Sequence, residues 1–205
     1  MLRFVDAANL VSLSSLAAAV LCALLAANGR VRYGVIALVI SGLCDLFDGA
    51  IARRLSRPDD AKRFGQALDL VVDVCAFGMA PAMLLHSMGL RTGLEIVLLI
   101  VFVSCAAWRL AYFETAGLVL DHDARYYHGL PTTFVALVVP LACLTGFAGT
   151  GPLRTAAAAA AGGLAFAMVS ALRVRKPMGR VLLIFPVIGA ALILTYALVP
   201  GYALP

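Results

Sequence analysis

Long apolar runs separated by short polar breaks make up most of the 205-residue chain. The runs lack the period-two alternation of apolar and polar residues, so they predict helices rather than the strands of an outer-membrane barrel. They are about 18 residues or longer, which is close to the length of a helix that crosses a bilayer. The seven predicted spans are Leu10–Ala27, Tyr33–Ala52, Gln66–Ser87, Leu94–Ala116, Leu130–Phe147, Thr155–Leu172 and Val181–Val199.

The breaks between these runs are short and carry turn-forming or charged residues. No internal repeat is evident, which argues against a transporter built from inverted repeats. We predict loops at Asn28-Gly29, at the charged stretch Arg53–Arg63, at Met88-Gly89, at the polar stretch Asp121–Tyr127, at Gly149–Gly151 and at Lys176-Pro177.

The composition points to a membrane protein. Hydrophobic residues make up 63% of the chain, charged residues make up 13%, and the mean hydropathy is +1.00. These values depart strongly from those of soluble domains. They predict one all-α domain over residues 1–205, a polytopic helical integral membrane protein with about six to seven transmembrane helices. Because Met1–Ala8 is mixed in polarity and the first apolar run can span a bilayer, we expect no removable signal peptide.

The positive charges predict the orientation. With seven spans and the N-terminus inside, the inner side holds eleven lysines and arginines and the outer side holds four. The positive-inside rule therefore favours this topology, in the cell (cytoplasmic) membrane. We interpret the net charge of +5 as loop arginines that face anionic lipid headgroups or phosphate, and expect no nucleic-acid partner. In this orientation the second span ends, and the third begins, on the cytoplasmic side.

Four aspartates lie in stretches otherwise apolar enough for a bilayer: Asp45, Asp48, Asp69 and Asp73. A carboxylate at the centre of a membrane helix costs about 2.5–3.5 kcal/mol, so something must neutralise this charge. The i,i+3 and i,i+4 spacings place each pair on one face of its helix. Two such helices facing each other form an oxygen-rich cage for hard divalent cations. In two other interpretations, the aspartates pair with loop arginines for structure, or serve an ion-coupled transporter.

The sequence around these aspartates carries a motif. It reads D-L-F-D-G-A-I-A-R from Asp45 and G-Q-A-L-D-L-V-V-D from Gly65 to Asp73. This closely resembles the signature of the CDP-alcohol phosphotransferases, D-x-x-D-G-x-x-A-R…G-x-x-x-D-x-x-x-D, at all eight fixed positions. The spacer from Arg54 to Phe64 has eleven residues and is longer than is usual in that family. The candidates for the additional residues are Pro58, Asp59 and Asp60.

The resemblance implies a role for each signature residue. It implies a two-metal site for Mg²⁺ or Mn²⁺, with Asp45, Asp48 and Asp69 as ligands. Asp73 is implied to be a ligand or the general base for the acceptor hydroxyl. The residues expected to contact the CDP group and its phosphates are Gly49, Ala52, Arg53 and Gly65, with Lys62 or Arg63 as further phosphate contacts.

Three further segments resemble the phosphatidylserine synthase branch of this family. They are D-V-C-A-F-G-M-A-P-A-M from Asp73, R-L-A-Y-F-E from Arg109 and H-G-L-P-T from His128. Tyr112 and Glu114 depart from the arginine and asparagine that are common there. Residues expected near the acceptor are Arg109, Phe77, Gly78, Pro81, Gly129 and Pro131.

Two interpretations of Arg109 stay open: it binds the serine carboxylate bidentately, or it pairs with one of the aspartates. The predicted reaction is phosphatidyl transfer from CDP-diacylglycerol to L-serine, which gives phosphatidylserine and CMP. The alternative acceptors are inositol phosphate, glycerol phosphate and choline. The expected partners are CDP-diacylglycerol, the small alcohol, the lipid bilayer and a second copy of the chain, since homodimers are common in the resembled family.

Overall fold

The computed structural model describes residues 4–52, 55, 57–117, 119–121, 124–175 and 184–199. Within this part of the chain, helices form most of the structure, as the apolar runs predict. They are α1 (Ala7–Ala27), α2 (Val31–Ala52), α3 (Asp59–Ser87), α4 (Gly93–Ala116), α5 (Thr132–Ala148), α6 (Thr150–Val169) and α7 (Ile184–Leu198).

Four of the helices, α1, α3, α4 and α6, are each long and apolar enough to cross a membrane. Helix α2 has 22 residues and carries Asp45 and Asp48 near its end. Helices α5 and α7 are shorter and apolar, and α5 contains Pro140 and begins and ends in 3₁₀ turns. The prediction of an all-α polytopic membrane protein is confirmed, and the number of spans stays a prediction.

Helix α3 begins earlier than the sequence predicts. The stretch Arg53–Arg63 was expected to be a loop, but the helix starts at Asp59, directly after Pro58. Asp59 and Asp60 lie in its first turn, where negative charge is favourable beside the unpaired N–H groups of a helix. The prediction of a loop at Asp59–Arg63 is therefore wrong, because these charged residues extend α3 instead of lengthening the connection.

The middle of α3 is a π-helical stretch, Val74–Met79, that follows Asp73 directly. Its wider register is visible where the Ala80 N–H donates to the Cys75 carbonyl, five residues earlier. Pro81 comes next and has no N–H to donate, which favours a change of hydrogen-bond register at this point. Phe77 and Gly78, which the sequence predicts near the acceptor, lie within this stretch, and Pro81 follows it closely.

A small three-stranded antiparallel sheet lies outside the helices. Its strands are β1 (Val119–Asp121), β2 (Ala124–His128) and β3 (Arg173–Arg175), in the order β1-β2-β3. Tyr126 pairs with Val119 on one side and with Arg175 on the other. The prediction of a loop is thus wrong at Asp121 and Ala124–Tyr127, which are strand residues, while positions 122 and 123 lie outside the described residues. Main-chain hydrogen bonds tie β2 to the chain that follows α6.

Helices α1 and α2 pack closely through small polar residues. The hydroxyls of Ser15 and Ser41 each donate to the main-chain carbonyl of the other residue at 3.0 Å. The next residue of α2, Gly42, packs closely against α5. A Cβ atom added at Gly42 would lie 2.4 Å from the Cβ of Ala136. These contacts fix α2, the helix that carries Asp45 and Asp48, between α1 and α5.

Contacts at the two ends of the bundle agree with the predicted sides. At one end, the rings of Phe4 and Phe64 stack with centroids 4.6 Å apart, and β2 pairs with β3. At the other end, Arg154 Nε donates to Glu95 Oε1 at 2.8 Å, and Arg32 donates to the Tyr196 carbonyl. Segments predicted to share a side therefore do contact one another.

Candidate metal and nucleotide site

Three carboxylates from two helices converge at the end of the bundle that is predicted to be the inner one. Carboxylate oxygens of Asp45, Asp48 and Asp69 all lie within 4.8 Å of one another. Asp48 is buried, and the other two are half-buried. The geometry expected from the helical spacings is therefore present, with α2 supplying two oxygens and α3 supplying one.

Asp73 joins this cluster one turn farther along α3. Its carboxyl group lies against that of Asp45. Among the described residues, its buried Oδ1 atom has no hydrogen-bond partner. Two carboxyl groups in contact need a proton or a cation between them, and an unpartnered buried oxygen is costly. Asp73 therefore has one oxygen available to a ligand.

A serine on α1 completes the support of the cluster. Ser12 Oγ donates to Asp48 Oδ2 at 2.7 Å, and both side chains are buried. This residue was not predicted as a site residue. Its signal in the sequence is a polar pair, Asn9 and Ser12, at i,i+3 spacing on one face of an apolar run.

The donor set suits hard divalent cations. All four side chains offer oxygen, which Mg²⁺ and Mn²⁺ prefer. Within the described residues, no lysine or arginine forms an ion pair with Asp45, Asp69 or Asp73. A purely structural pairing of these three with loop arginines is thus not seen in this part of the chain. The residues present fit a metal site.

A cavity of about 340 Å³ opens beside the carboxylates. Gly49, Ala52 and Gly65, three of the four residues predicted to contact CDP, all line it together with Asp48 and Asp69. The fourth, Arg53, lies outside the described residues. A Cβ at Gly65 would lie 3.0 Å from Asn9 Oδ1 and 3.1 Å from Arg57 Nη1, so a side chain there would crowd the wall of the cavity.

Arg109 lies in the apolar part of α4 and is 6% exposed. Its guanidinium carbon is 5.1 Å from the ring centroid of Phe113 and 5.6 Å from that of Tyr127. Its Nε is buried, and no residue in the described part of the chain accepts a hydrogen bond from it. Asp73 is near enough to attract it electrostatically. Of the two interpretations of Arg109, a direct ion pair with an aspartate is not found among the described residues.

The other residues predicted near the acceptor are packed against protein. Phe77, Gly78 and Pro81 are buried within α3. Gly129 has a φ of +72°, donates its N–H to the Leu172 carbonyl, and would place a Cβ 2.1 Å from the Met168 carbonyl oxygen. Only glycine fits there, which is a sufficient structural reason for this residue.

The model of the CDP-alcohol phosphatidyltransferase family matches residues 5–170. The chain belongs to this family. The match covers α1 to α6 and includes all four aspartates and every residue that lines the cavity.

Several relatives of this CDP-alcohol phosphatidyltransferase carry more specific names. A CDP-diacylglycerol–serine O-phosphatidyltransferase of Saccharomyces cerevisiae is 35% identical over 51% of the chain and 39% of its own length. An archaetidylserine synthase of Methanothermobacter thermautotrophicus is 30% identical over 70% of the chain and 60% of its own length. A CDP-diacylglycerol–serine O-phosphatidyltransferase of Bacillus subtilis is 28% identical over 61% of the chain and 70% of its own length. The aligned part thus covers less than two thirds of the first two relatives.

Proposed function

We propose that this CDP-alcohol phosphatidyltransferase transfers the phosphatidyl group of CDP-diacylglycerol to L-serine, which gives phosphatidylserine and CMP. The observation that carries the proposal is the meeting of three carboxylates within 4.8 Å beside a cavity lined by the signature glycines and alanine. A carboxylate cage next to a nucleotide-sized cavity suits a diphosphate substrate that needs divalent cations.

Asp45, Asp48 and Asp69 would hold Mg²⁺ or Mn²⁺, with Asp73 as the fourth carboxylate. The bound cations would supply positive charge that neutralises the diphosphate and the departing phosphate. Ser12 keeps Asp48 in position through its hydrogen bond. The inner-side position of the cluster follows from the predicted topology, so the active site would face the cytoplasm.

Asp73 is the proposed general base. Its Oδ1 is buried and unpartnered, so it can accept a proton from the acceptor hydroxyl. The hydroxyl oxygen then bonds to the phosphorus that carries the diacylglycerol. The bond from this phosphorus to the bridging oxygen of the diphosphate breaks, and CMP leaves with the electron pair.

Serine is the proposed acceptor for two reasons. The relatives named above are called CDP-diacylglycerol–serine O-phosphatidyltransferase or archaetidylserine synthase, so each name contains serine. Arg109 is a buried guanidinium with an unpartnered Nε near Asp73, which suits a single carboxylate in bidentate contact. A phosphorylated acceptor would call for several convergent cations. The serine hydroxyl would thereby lie close to the proposed base.

The test is an acceptor panel with purified protein in liposomes. With CDP-diacylglycerol and Mg²⁺ or Mn²⁺, we expect CMP release only when L-serine is added. Removal of the metal with a chelator should abolish release. Asp69→Asn should lower the rate by a factor of about 100 or more while the protein still elutes as a folded species, because a ligand of the site is lost.

The other outcomes of the panel are equally informative. Release driven by glycerol phosphate, inositol phosphate or choline would reassign the acceptor and leave the reaction class intact. No CMP release with any acceptor, from folded and metal-supplied protein, would refute the proposed reaction. Metal-dependent ion flux without CMP release would favour a transporter instead.

A further inference from the structure

A second cavity, of about 780 Å³, lies at the far end of α3 from the carboxylates. It is a groove between the end of α1, the second half of α3 and the first half of α4. On α3 its lining extends from Met79 to Ser87, about 9 to 21 Å beyond Asp73 at 1.5 Å per residue. Of the described residues, none lines both this groove and the cavity beside the carboxylates. The groove is therefore separate from the candidate metal and nucleotide site.

The walls of the groove are mostly apolar. Helix α1 contributes the small residues Ala26 and Ala27, which leave room beside α3, and α4 contributes aliphatic residues such as Ile100. Ala27 and Ile100 are exposed, so the groove is open at its side. From Ile96 to Ser104 the groove follows α4 for about 12 Å, close to the roughly 15 Å of one hydrocarbon leaflet. One acyl chain of a phospholipid therefore fits the groove along its length.

The groove has a cation at one end. Arg91 lines it in the connection between α3 and α4, beside His86 at the end of α3. The Arg91 side chain is exposed, and within the described ranges no carboxylate forms an ion pair with it. The nearby carboxylate of Glu95 is already used, because its two oxygens accept from Arg154 at 2.8 and 3.1 Å. Arg91 is thus available to an anion from outside the chain.

The whole end of the molecule around this arginine has an excess of positive charge. Of the eleven acidic residues in the sequence, Glu95 alone belongs to the side predicted to be outer. Four arginines belong to the same side: Arg30, Arg32, Arg91 and Arg154. Such an excess attracts anions. A ligand with an apolar chain and an anionic head complements both the walls of the groove and its charged end.

We propose that this groove binds an anionic phospholipid from the leaflet opposite the carboxylates. One acyl chain lies between α1 and α4 and extends toward Met79, and the phosphate lies at Arg91. The guanidinium donates two parallel hydrogen bonds to the phosphate oxygens. This lipid is not the phosphatidyl donor, because a donor with its diphosphate at the carboxylates has its headgroup at the other surface of the bilayer. The inference does not depend on the proposed reaction.

A second copy of the chain is the competing occupant of an apolar groove. In a symmetric pair, the same face of both copies meets, so each copy would bring its arginines toward those of the other. It would bring no free carboxylate, because Glu95 is paired with Arg154. Like charges placed together oppose association. A lipid phosphate compensates the charge that a second copy would increase, and the lipid is therefore the better match.

The experiment is native mass spectrometry of the purified full chain in a non-ionic detergent, with phosphatidylglycerol or phosphatidylcholine added. We expect wild type to bind phosphatidylglycerol more tightly than phosphatidylcholine by a factor of about 10, because only the first carries a net negative charge. Arg91→Ala should weaken phosphatidylglycerol binding by a factor of about 10 and remove this preference. Ala27→Phe places a ring in the groove from an exposed position, and should weaken binding of both lipids.

A matched control separates a defined site from attraction by overall charge. Arg30→Ala removes an exposed arginine from the same end of the molecule, at a position that does not line the groove. It should change phosphatidylglycerol binding by less than a factor of about 2, as expected for an exposed charge without a direct contact. Equal weakening by Arg30→Ala and Arg91→Ala would overturn the inference, and so would a preference that survives Arg91→Ala.

The same spectra report the number of chains in each particle. Loss of dimers in Ala27→Phe, with lipid binding unchanged, would assign the groove to a second copy and overturn the lipid site. No CDP-diacylglycerol and no serine are present in these measurements. A failure of the lipid site therefore leaves the acceptor panel unaffected, and a failure of the panel leaves the lipid site unaffected.

Discussion

Single hydrogen bonds decide how the carboxylates are held. Ser12 donates from α1 to Asp48 on α2 at 2.7 Å, and the bond is buried, where a hydrogen bond is stronger than in water. A carboxylate that accepts such a hydrogen bond through one oxygen is held in one orientation, and its other oxygen can bind a metal. Partners of this kind contribute strongly to metal affinity although they never touch the ion.

Replacement of this serine should weaken metal binding. We expect Ser12→Ala to lower Mn²⁺ affinity by a factor of about 10, because Asp48 loses the donor that orients it. The measurement is titration of Mn²⁺ into purified protein, followed by calorimetry or by the signal of the free ion. Ser14→Ala is the matched control, because Ser14 Oγ is exposed and donates to the Leu10 carbonyl of its own helix. An affinity unchanged from wild type in Ser12→Ala would contradict this role.

The sequence predicts the charged residues of the site well and its neutral ones poorly. An aspartate within an apolar run is costly and therefore conspicuous, and the four aspartates do converge. Ser12 is inconspicuous, because a serine in a membrane helix commonly bonds its own backbone, as Ser14 does. Arg57 lies among several charges of the spacer, and only the fold shows which of them faces the cavity.

At the scale of the helices, α2 owes its position to close contact with α5. A Cβ added at Gly42 would fall 2.4 Å from the Cβ of Ala136, a separation that no real pair of such atoms tolerates. The absence of a side chain at Gly42 therefore sets how near the two helices lie. Since α2 carries Asp45 and Asp48, this contact also influences where these two carboxylates lie.

Filling this contact should destabilise the protein. We expect Gly42→Ala to lower the free energy of unfolding by about 1–3 kcal/mol, because the helices must separate to make room. Adding Ala136→Gly should recover most of the loss, and thermal unfolding in detergent measures both. Gly163→Ala is the control, since no atom lies within 4 Å of a Cβ at that position. Equal loss in Gly163→Ala, or no recovery in the double variant, would argue against this contact.

The elements differ in how far the sequence predicts them. The helices follow from apolar runs of sufficient length, which local patterning reveals. The start of α3 is not predicted by this pattern. Asp59 and Asp60 are residues typical of loops, and only the structure shows that they lie beside the unpaired N–H groups of the first helical turn. The sheet is not predicted either, since β2 pairs with β3 from beyond α6, and no local pattern indicates a partner so distant.

For the whole molecule, the two ends of the bundle differ in chemistry. The carboxylates, the cavity and the sheet involve elements predicted to meet on the inner side. The opposite end is joined by the pair of Arg154 and Glu95. The alternation of seven spans predicted which segments share a side, because alternation does not depend on details of packing. The count of positive charges predicts only which of the two sides is the inner one.

Labelling of introduced cysteines tests this orientation. We expect Arg91→Cys to react with a membrane-impermeant maleimide in intact cells, and Asp60→Cys to react only after the membrane is opened. Both residues are exposed, and they lie near opposite ends of α3. The parent chain, with its five native cysteines, gives the background signal. The reverse pattern would place the site outside, and reaction at both positions in intact cells would exclude a spanning α3.

The π-helical stretch after Asp73 gives α3 one more residue than a regular helix needs over the same rise. Deletion of one residue within Val74–Met79 would turn this stretch into regular α-helix. The two halves of α3 on either side of it would then keep their rotation about the helix axis. A single-residue change of length elsewhere in α3 would rotate one half against the other by about 100°. Evolutionary gain or loss of a residue in this helix is therefore best tolerated in the stretch directly after Asp73.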